Sequence, residues 1–208
     1  MDARTIPLFP LHRVLLPGAR LSLQVFEERY RLMMEQLEDQ RFGVVLISDG
    51  SEVGEPARYH DVGTEGRIVH SQAFTDGRSV LLVEGERRFE VIERLSVDPY
   101  PLALVEYLPD EPAAWSALTH LRDEVERSLR RFIGLAVESG ESGDVNMSIS
   151  EDPVTASYEV ASLMRISSPE RQELLELPTA AARLERELAV LRREIGLLEH
   201  LLQIGRPR

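Results

Sequence analysis

The hydrophobic period of this chain changes for good between Leu108 and Pro112, and that change constrains the fold more than any other feature. Before it, apolar residues recur at every second position, as in Leu21-Ser-Leu-Gln-Val25, the spacing of a strand with one buried face. After it they recur at three and four, as in Trp115, Leu118, Val125, Leu129, Phe132 and Ile133, the stripe of an amphipathic helix. A strand-built first part (residues 1–110) and an all-helical second part (111–208) are therefore expected, an α+β chain with its two kinds of element segregated. The strand part carries one exception. From Phe26 the spacing of Phe26, Tyr30, Met33, Met34 and Leu37 is helical, with Glu27, Glu28, Arg31, Glu35 and Glu38 facing outward, which predicts an inserted helix over 27–39.

The strand part reads as a series of short segments. Pro7 and Pro10 lack donor N–H groups, so Ile6–Leu11 is expected at a sheet edge, and Pro17-Gly18 sets a turn. Phe42–Ser48 is a continuous apolar run, as in a strand covered on both faces, and the polar residues 49–61 read as a mobile loop. Residues 62–74 and 79–84 are strands joined by Thr75-Asp-Gly-Arg78, where Asp-Gly is a hairpin signal. Gly85 allows a bulge before a strand over 87–95, and 101–108 supplies the last strand.

In the second part, Pro112 stands in the first turn of a long helix, and the Gly/Ser-rich residues 138–150 separate that helix from the rest of the helical part. Asp152-Pro153 and Ser168-Pro169 each place a capping side chain before a proline and predict two shorter helices. After Leu177-Pro-Thr179 a last helix carries Ala181, Leu184, Leu188, Leu191, Ile195, Leu198 and Leu202 at heptad spacing. About three heptads is short for a free coiled coil, so packing within the chain's own bundle is expected ahead of self-association through this helix.

The run Pro7-Leu-Phe-Pro-Leu11, then Leu16-Pro-Gly18, an alternating strand and Phe26-Glu-Glu-Arg-Tyr30 closely resembles the N-terminal substrate-binding domain of Lon proteases, most of all its free-standing bacterial version. Val83–Val91 and Tyr107-Leu-Pro-Asp110 are similar to the same family, and the resemblance extends from about Thr5 to about Leu202. It implies a PUA-like β-barrel subdomain with one inserted helix, followed by a helical bundle. It also implies a non-enzymatic module that binds exposed apolar segments of unfolded or client polypeptides, working with a protease or chaperone. The alternative is a PUA-like module that binds RNA or a small polar ligand.

Composition narrows the chemistry. The chain contains neither Cys nor Lys, which removes thiolate nucleophiles, Schiff bases, Ser-Lys dyads and the lysine of a phosphate-binding loop. No Gly-x-x-x-x-Gly-Lys, Gly-x-Gly-x-x-Gly or Gly-x-Ser-x-Gly pattern occurs, so neither the ATPase nor the peptidase chemistry of a full Lon protease is encoded in these residues. The five histidines are scattered without helical ligand spacing, and no metal or cofactor is expected. Converging carboxylates would permit hydrolysis, but spacing gives no sign of them.

Twelve arginines stand against 19 acids in residues 1–110 and against 17 in 111–208, so neither part is a basic module and nucleic acid is not an expected partner. No apolar run reaches membrane-spanning length and no signal-peptide pattern opens the chain, which makes cytoplasmic residence the expectation. The candidate polypeptide-binding residues are Phe26, Tyr30, Met33 and Met34, with Trp115 on the long helix. Aromatics and flexible thioethers serve either a core or an adaptable groove, and an open strand edge at Ile6–Leu11 would supply backbone partners.

Overall fold

A computed structural model describes residues 3–54, 57–110, 115–140 and 148–204, without the side chains of 115–117. It divides into two compact units, residues 1–109 with 166–176, and 110–165 with 177–208.

The first unit is a six-stranded mixed sheet with helices. Its elements are β1 (Ala3–Leu11), β2 (Arg20–Val25), α1 (Glu28–Gln36), β3 (Arg41–Asp49), β4 (Arg58–Ala73), β5 (Ser79–Ser96) and β6 (Leu102–Tyr107). The strand order is β2-β5-β4-β3-β1-β6, and β6 also pairs with β5. This double use is possible because β5 is one strand of 18 residues, not the two segments that Gly85 suggests. Residues 79–84 pair with β2, and residues 89–96 pair with β6. The register shift does fall beside Gly85, between the Glu65↔Arg87 and Gly66↔Gly85 pairs. A Cβ on Gly85 would stand 2.3 Å from the Leu16 carbonyl oxygen, so the β1–β2 turn presses on the strand where only glycine fits.

β1 is an interior strand, contrary to the edge position its prolines suggest. It pairs antiparallel with β6 through residues 3–7 and parallel with β3 through residues 8–11. The prolines lie where the partner changes. Leu8 N–H donates to the Pro101 carbonyl at 2.8 Å, so the Pro10 nitrogen, two residues on and facing the same way, points past the start of β6. Pro7 precedes the first β3 pair. A proline is tolerated wherever its nitrogen has no strand to meet, and a partner change provides that in the middle of a sheet.

Both faces of β1 and β3 are covered, which accounts for their long buried runs. Ile6, Leu8, Val45, Phe89, Val91, Ala103 and Val105 form one cluster. Phe9, Leu15, Leu21, Leu23, Val25, Tyr30, Met33, Phe42 and Val83 form the other. The hairpin at Asp76-Gly77 is as expected, with Gly77 at φ 81° and Phe74 N–H bonded to the Arg78 carbonyl. β4 begins at Arg58, earlier than its sequence suggests, after two register shifts against β3. α1 stops at Gln36, short of the predicted 39. Asp39 is drawn instead to Arg4 at 2.7 Å, and Gln40 takes a left-handed φ of 58°.

α4 (Ser168–Glu176) belongs to this unit although it lies in the helical part of the sequence. Gln172 donates to the Val62 carbonyl, and the buried Arg88 guanidinium donates to the Leu175 carbonyl at 2.7 Å, near the helix's C-terminal end. Arg88 is therefore an internal anchor for α4.

The second unit contains α2 (Trp115–Glu138), α3 (Pro153–Leu163) and α5 (Ala180–Ile204). Asp152 caps α3 by accepting the Thr155 N–H at 3.0 Å, and the Thr179 hydroxyl accepts the Ala182 N–H at the start of α5. The seam residues Leu184, Leu188 and Leu191 are buried, and α5 packs on α2 and α3. Residues 141–147 of the Gly/Ser-rich stretch lie outside the described residues.

The same helix buries two charged side chains. Arg183 donates to the Ser157 hydroxyl, the Leu177 carbonyl and Asp110, and stacks 4.2 Å from the Tyr158 ring. Glu187, one turn on, is equally buried, but among the described residues neither carboxylate oxygen has a hydrogen-bond partner. Burial pushes its carboxyl well above the usual range, with the Arg183 charge opposing.

Candidate functional site

β2 ends the strand order and pairs only with β5, so the open edge expected at β1 lies here. Its inward residues Leu21, Leu23 and Val25 are buried and Arg20, Ser22 and Gln24 are exposed. Phe26 comes next, out of phase with that inward set, and is left on the surface, 48% exposed.

Two hollows lie beside β2 and share Gln24 and Phe26, the second of them over its paired side with β5. One, of about 230 Å³, is lined by Phe9, Leu11, Ser22, Leu23, Tyr30 and Val53, with Arg13, Glu27 and Glu52 also on its wall. The other, of about 300 Å³, is lined by Val25, Phe74, Arg78, Ser79 and Val80. Val53 is 52% and Phe74 45% exposed, so three large apolar side chains stand around the pair of hollows. Clustered exposed apolar groups rimmed by polar ones are the ordinary signature of an interaction surface.

The wall around Tyr30 is held from several directions. Its ring stacks on Phe9 with centroids 4.1 Å apart and planes 20° apart, and the Arg29 guanidinium lies 4.6 Å from its centroid. Burial pushes the Tyr30 hydroxyl up to about 12, with Arg29 opposing. Glu27 pairs with Arg29 at 3.0 Å and accepts the Gly54 N–H, while Arg29 donates to the Glu52 carbonyl and the Glu52 carboxylate accepts the His12 N–H. The described part of the loop after β3, expected to be mobile, is thus tied to the start of α1 and to the β1–β2 connection.

The sequence-predicted residues separate accordingly. Phe26 and Tyr30 line the first hollow, one at its rim and one in its wall. Met33 is fully buried in the cluster of Phe9 and Phe42, and Met34 is half-buried against the same cluster; neither lines the two hollows. The side chain of Trp115 lies outside the described residues. Val53 and Phe74 escape sequence reasoning. Val53 sits in a polar loop and Phe74 beside a turn, with no periodicity to flag either, whereas the phase of Leu21, Leu23 and Val25 is a signal that turns Phe26 outward.

A basic groove through Arg58, Arg67, Arg78, Arg87 and Arg88 does not form. Arg67 pairs with Glu86, Arg78 with Asp76 and Arg87 with the buried Glu65, while Arg88 is internal. Glu86 is held below the usual carboxylate range by the Arg41 guanidinium first, with Arg67 adding to it. Glu65 also accepts the Tyr107 hydroxyl, whose own value burial raises to about 12. Among the described residues no three His, Asp or Glu side chains gather to hold a metal ion, and no helix is long and apolar enough to cross a membrane.

A mixed sheet with helices thus carries a partly apolar hollow beside a strand paired on one side. The profile of the ATP-dependent protease La (LON) substrate-binding domain matches residues 5–193, and the chain belongs to that family. It is 29% identical to Lon protease 2 of Desulfotalea psychrophila over 96% of this chain and 25% of that one. It is 26% identical to the Lon protease of Brevibacillus choshinensis over 97% and 26%. The chain thus spans about a quarter of the length of these relatives. Among solved structures it resembles a Lon N-terminal domain protein from Xanthomonas campestris, with TM-score 0.64 and 29% identity, covering 89% of this chain and 98% of that one. The N-terminal domain of a Mycobacterium avium complex Lon protease shares the fold, with TM-score 0.68, 17% identity and coverage of 93% and 98%.

Proposed function

We propose that this chain holds exposed apolar segments of unfolded or client polypeptides in the hollows beside β2, without chemistry of its own. The observation that carries the proposal is that Phe26 and Val53, each about half exposed, stand at a hollow beside β2, which among the described residues is paired on one side alone, while the half-exposed Phe74 stands at a second hollow over the β2–β5 ladder. An extended segment would add backbone hydrogen bonds at β2 while its apolar side chains enter the two hollows. Tyr30 forms wall, and Met33 and Met34 give it support from the core. The absence of Lys and of nucleotide and nucleophile motifs fits a module that binds substrates and leaves cleavage to a protease.

In the same reading the ladders β5-β4-β3-β1-β6, rejoined to β5, make a PUA-like barrel, and the helices after residue 111 make a bundle with α4 lent back to the barrel. A small polar ligand is the second reading. It is favoured by a hollow of about 170 Å³ lined by Arg4, Asp39, Arg41, Glu65 and Tyr100. Arg4 and Arg41 already meet acids there, which leaves little unsatisfied charge for a ligand.

The test is binding of fluorescein-labelled unfolded peptides by anisotropy. Phe26→Ser should weaken apolar peptides about tenfold, in keeping with a buried aromatic contact worth roughly 1.4 kcal/mol or more. Unchanged affinity would move the site away from β2.

A further inference from the structure

The rim of the smaller hollow is electrically uneven. Its two acids are already engaged, Glu27 with Arg29 and the Gly54 N–H, and Glu52 with the His12 N–H. Its one cation is not. Arg13, in the connection between β1 and β2, is exposed and makes no hydrogen bond or ion pair among the described residues. A second guanidinium, that of Arg171 on α4, stands close enough to repel it. Burial first and the Arg13 charge second lower the Arg171 value. The Arg13 guanidinium, without a partner among the described residues on the rim of a partly apolar hollow, leaves a local positive potential in a chain of net charge −12. At physiological salt the rest of that charge is screened beyond roughly 8 Å, so the rim and not the whole molecule decides what a docking segment meets.

We infer that the hollow selects polypeptide segments in which an apolar side chain is accompanied by a carboxylate, the side chain entering beside Phe26 and Tyr30 while the carboxylate meets Arg13. The guanidinium fork suits that partner, since it can give a carboxylate two parallel N–H bonds. The carboxylate can be that of an Asp or Glu side chain or of a chain's C-terminus. This selectivity rests on the polypeptide-binding reading above and sharpens it, from apolar segments in general to apolar segments with an acid close by.

The experiment uses the full chain and four labelled peptides that share one Leu-Phe core. One carries Glu flanks and an amidated end, one Lys flanks and an amidated end, one neutral flanks with a free C-terminal carboxylate, and one neutral flanks with an amidated end. Anisotropy at physiological salt should rank the Glu-flanked or the free-carboxylate peptide about two- to fivefold above the Lys-flanked one, the size of an ion pair at an exposed site. Whichever of the two leads identifies the source of the carboxylate. Arg13→Glu, a change at an exposed side chain whose folding is checked by circular dichroism, should invert the ranking. If all four bind wild type equally and Arg13→Glu alters nothing, the hollow binds without selecting carboxylates and the inference falls while the polypeptide reading stands. If none binds, both fall.

Discussion

Phe26 and Met33 stand seven residues apart in one strand-to-helix segment, yet one is half exposed at the rim of a hollow and the other is shut into the core beneath it. Both are large and apolar, so composition does not separate them. What separates them is what each would cost to lose. Met33 fills space among Phe9, Tyr30 and Phe42, whereas Phe26 has no apolar duty toward the fold that would explain leaving its ring in water. On the proposed function the contrast gives stability to the lower layer and binding to the upper.

The largest expected effect tests the lower layer. Met33→Ala should destabilise the chain by about 2–5 kcal/mol in urea unfolding, by lost transfer energy and a residual cavity. Peptide affinity should change little under conditions where the variant is fully folded. A Met33 variant that keeps its stability and loses binding would break the contrast.

Glu187 in the helical unit sharpens it, because there burial does not signal a stabilising contact. Its folded value lies above its unfolded one, so its contribution is intact below the ordinary carboxylate range and is lost as pH rises through the folded value. At pH 7 the unpartnered group therefore works against folding. Glu187→Met should raise stability there by about 1–3 kcal/mol and flatten the decline of stability with rising pH. A loss of stability would mean that the carboxylate has a partner in the native state.

The smallest effect concerns the upper layer. The Phe26→Ser variant that weakens peptides should shift unfolding free energy by no more than about 0.5 kcal/mol, the usual range for surface changes. A loss comparable with that of Met33→Ala would place Phe26 in the core.

Much of this is legible in the sequence, and the limits of legibility have physical causes. The change of period near Pro112, the Asp76-Gly77 hairpin, the Asp152 cap and the Leu184–Leu191 seam are local signals, and each corresponds to an element of the structure. The position of β1 is not legible, because proline reports only that its own nitrogen has no partner. It says nothing about whether the strand is flanked a residue earlier by β6 and a residue later by β3. The burial of Arg88 and Arg183 is not legible because the carbonyl and hydroxyl that receive them come from residues far along the chain, and nothing in the local spacing marks Glu187 as buried. The hollow escapes a sequence reading in part for the same reason. Phe74 joins Phe26 through the pairing of β2 with β5 and β5 with β4, and Val53 through the ties of residues 52 and 54 to the start of α1.

The central claim is that a polypeptide docks along the open edge of β2, and amide hydrogen exchange of the full chain with and without a saturating apolar peptide tests it most directly. Protection should rise in the segments covering 20–26 and 51–54, where backbone and loop would be covered, and stay unchanged in β1, which lies inside the sheet between β6 and β3. Protection that falls on other strands, or saturable binding that leaves 20–26 unprotected, would contradict the account.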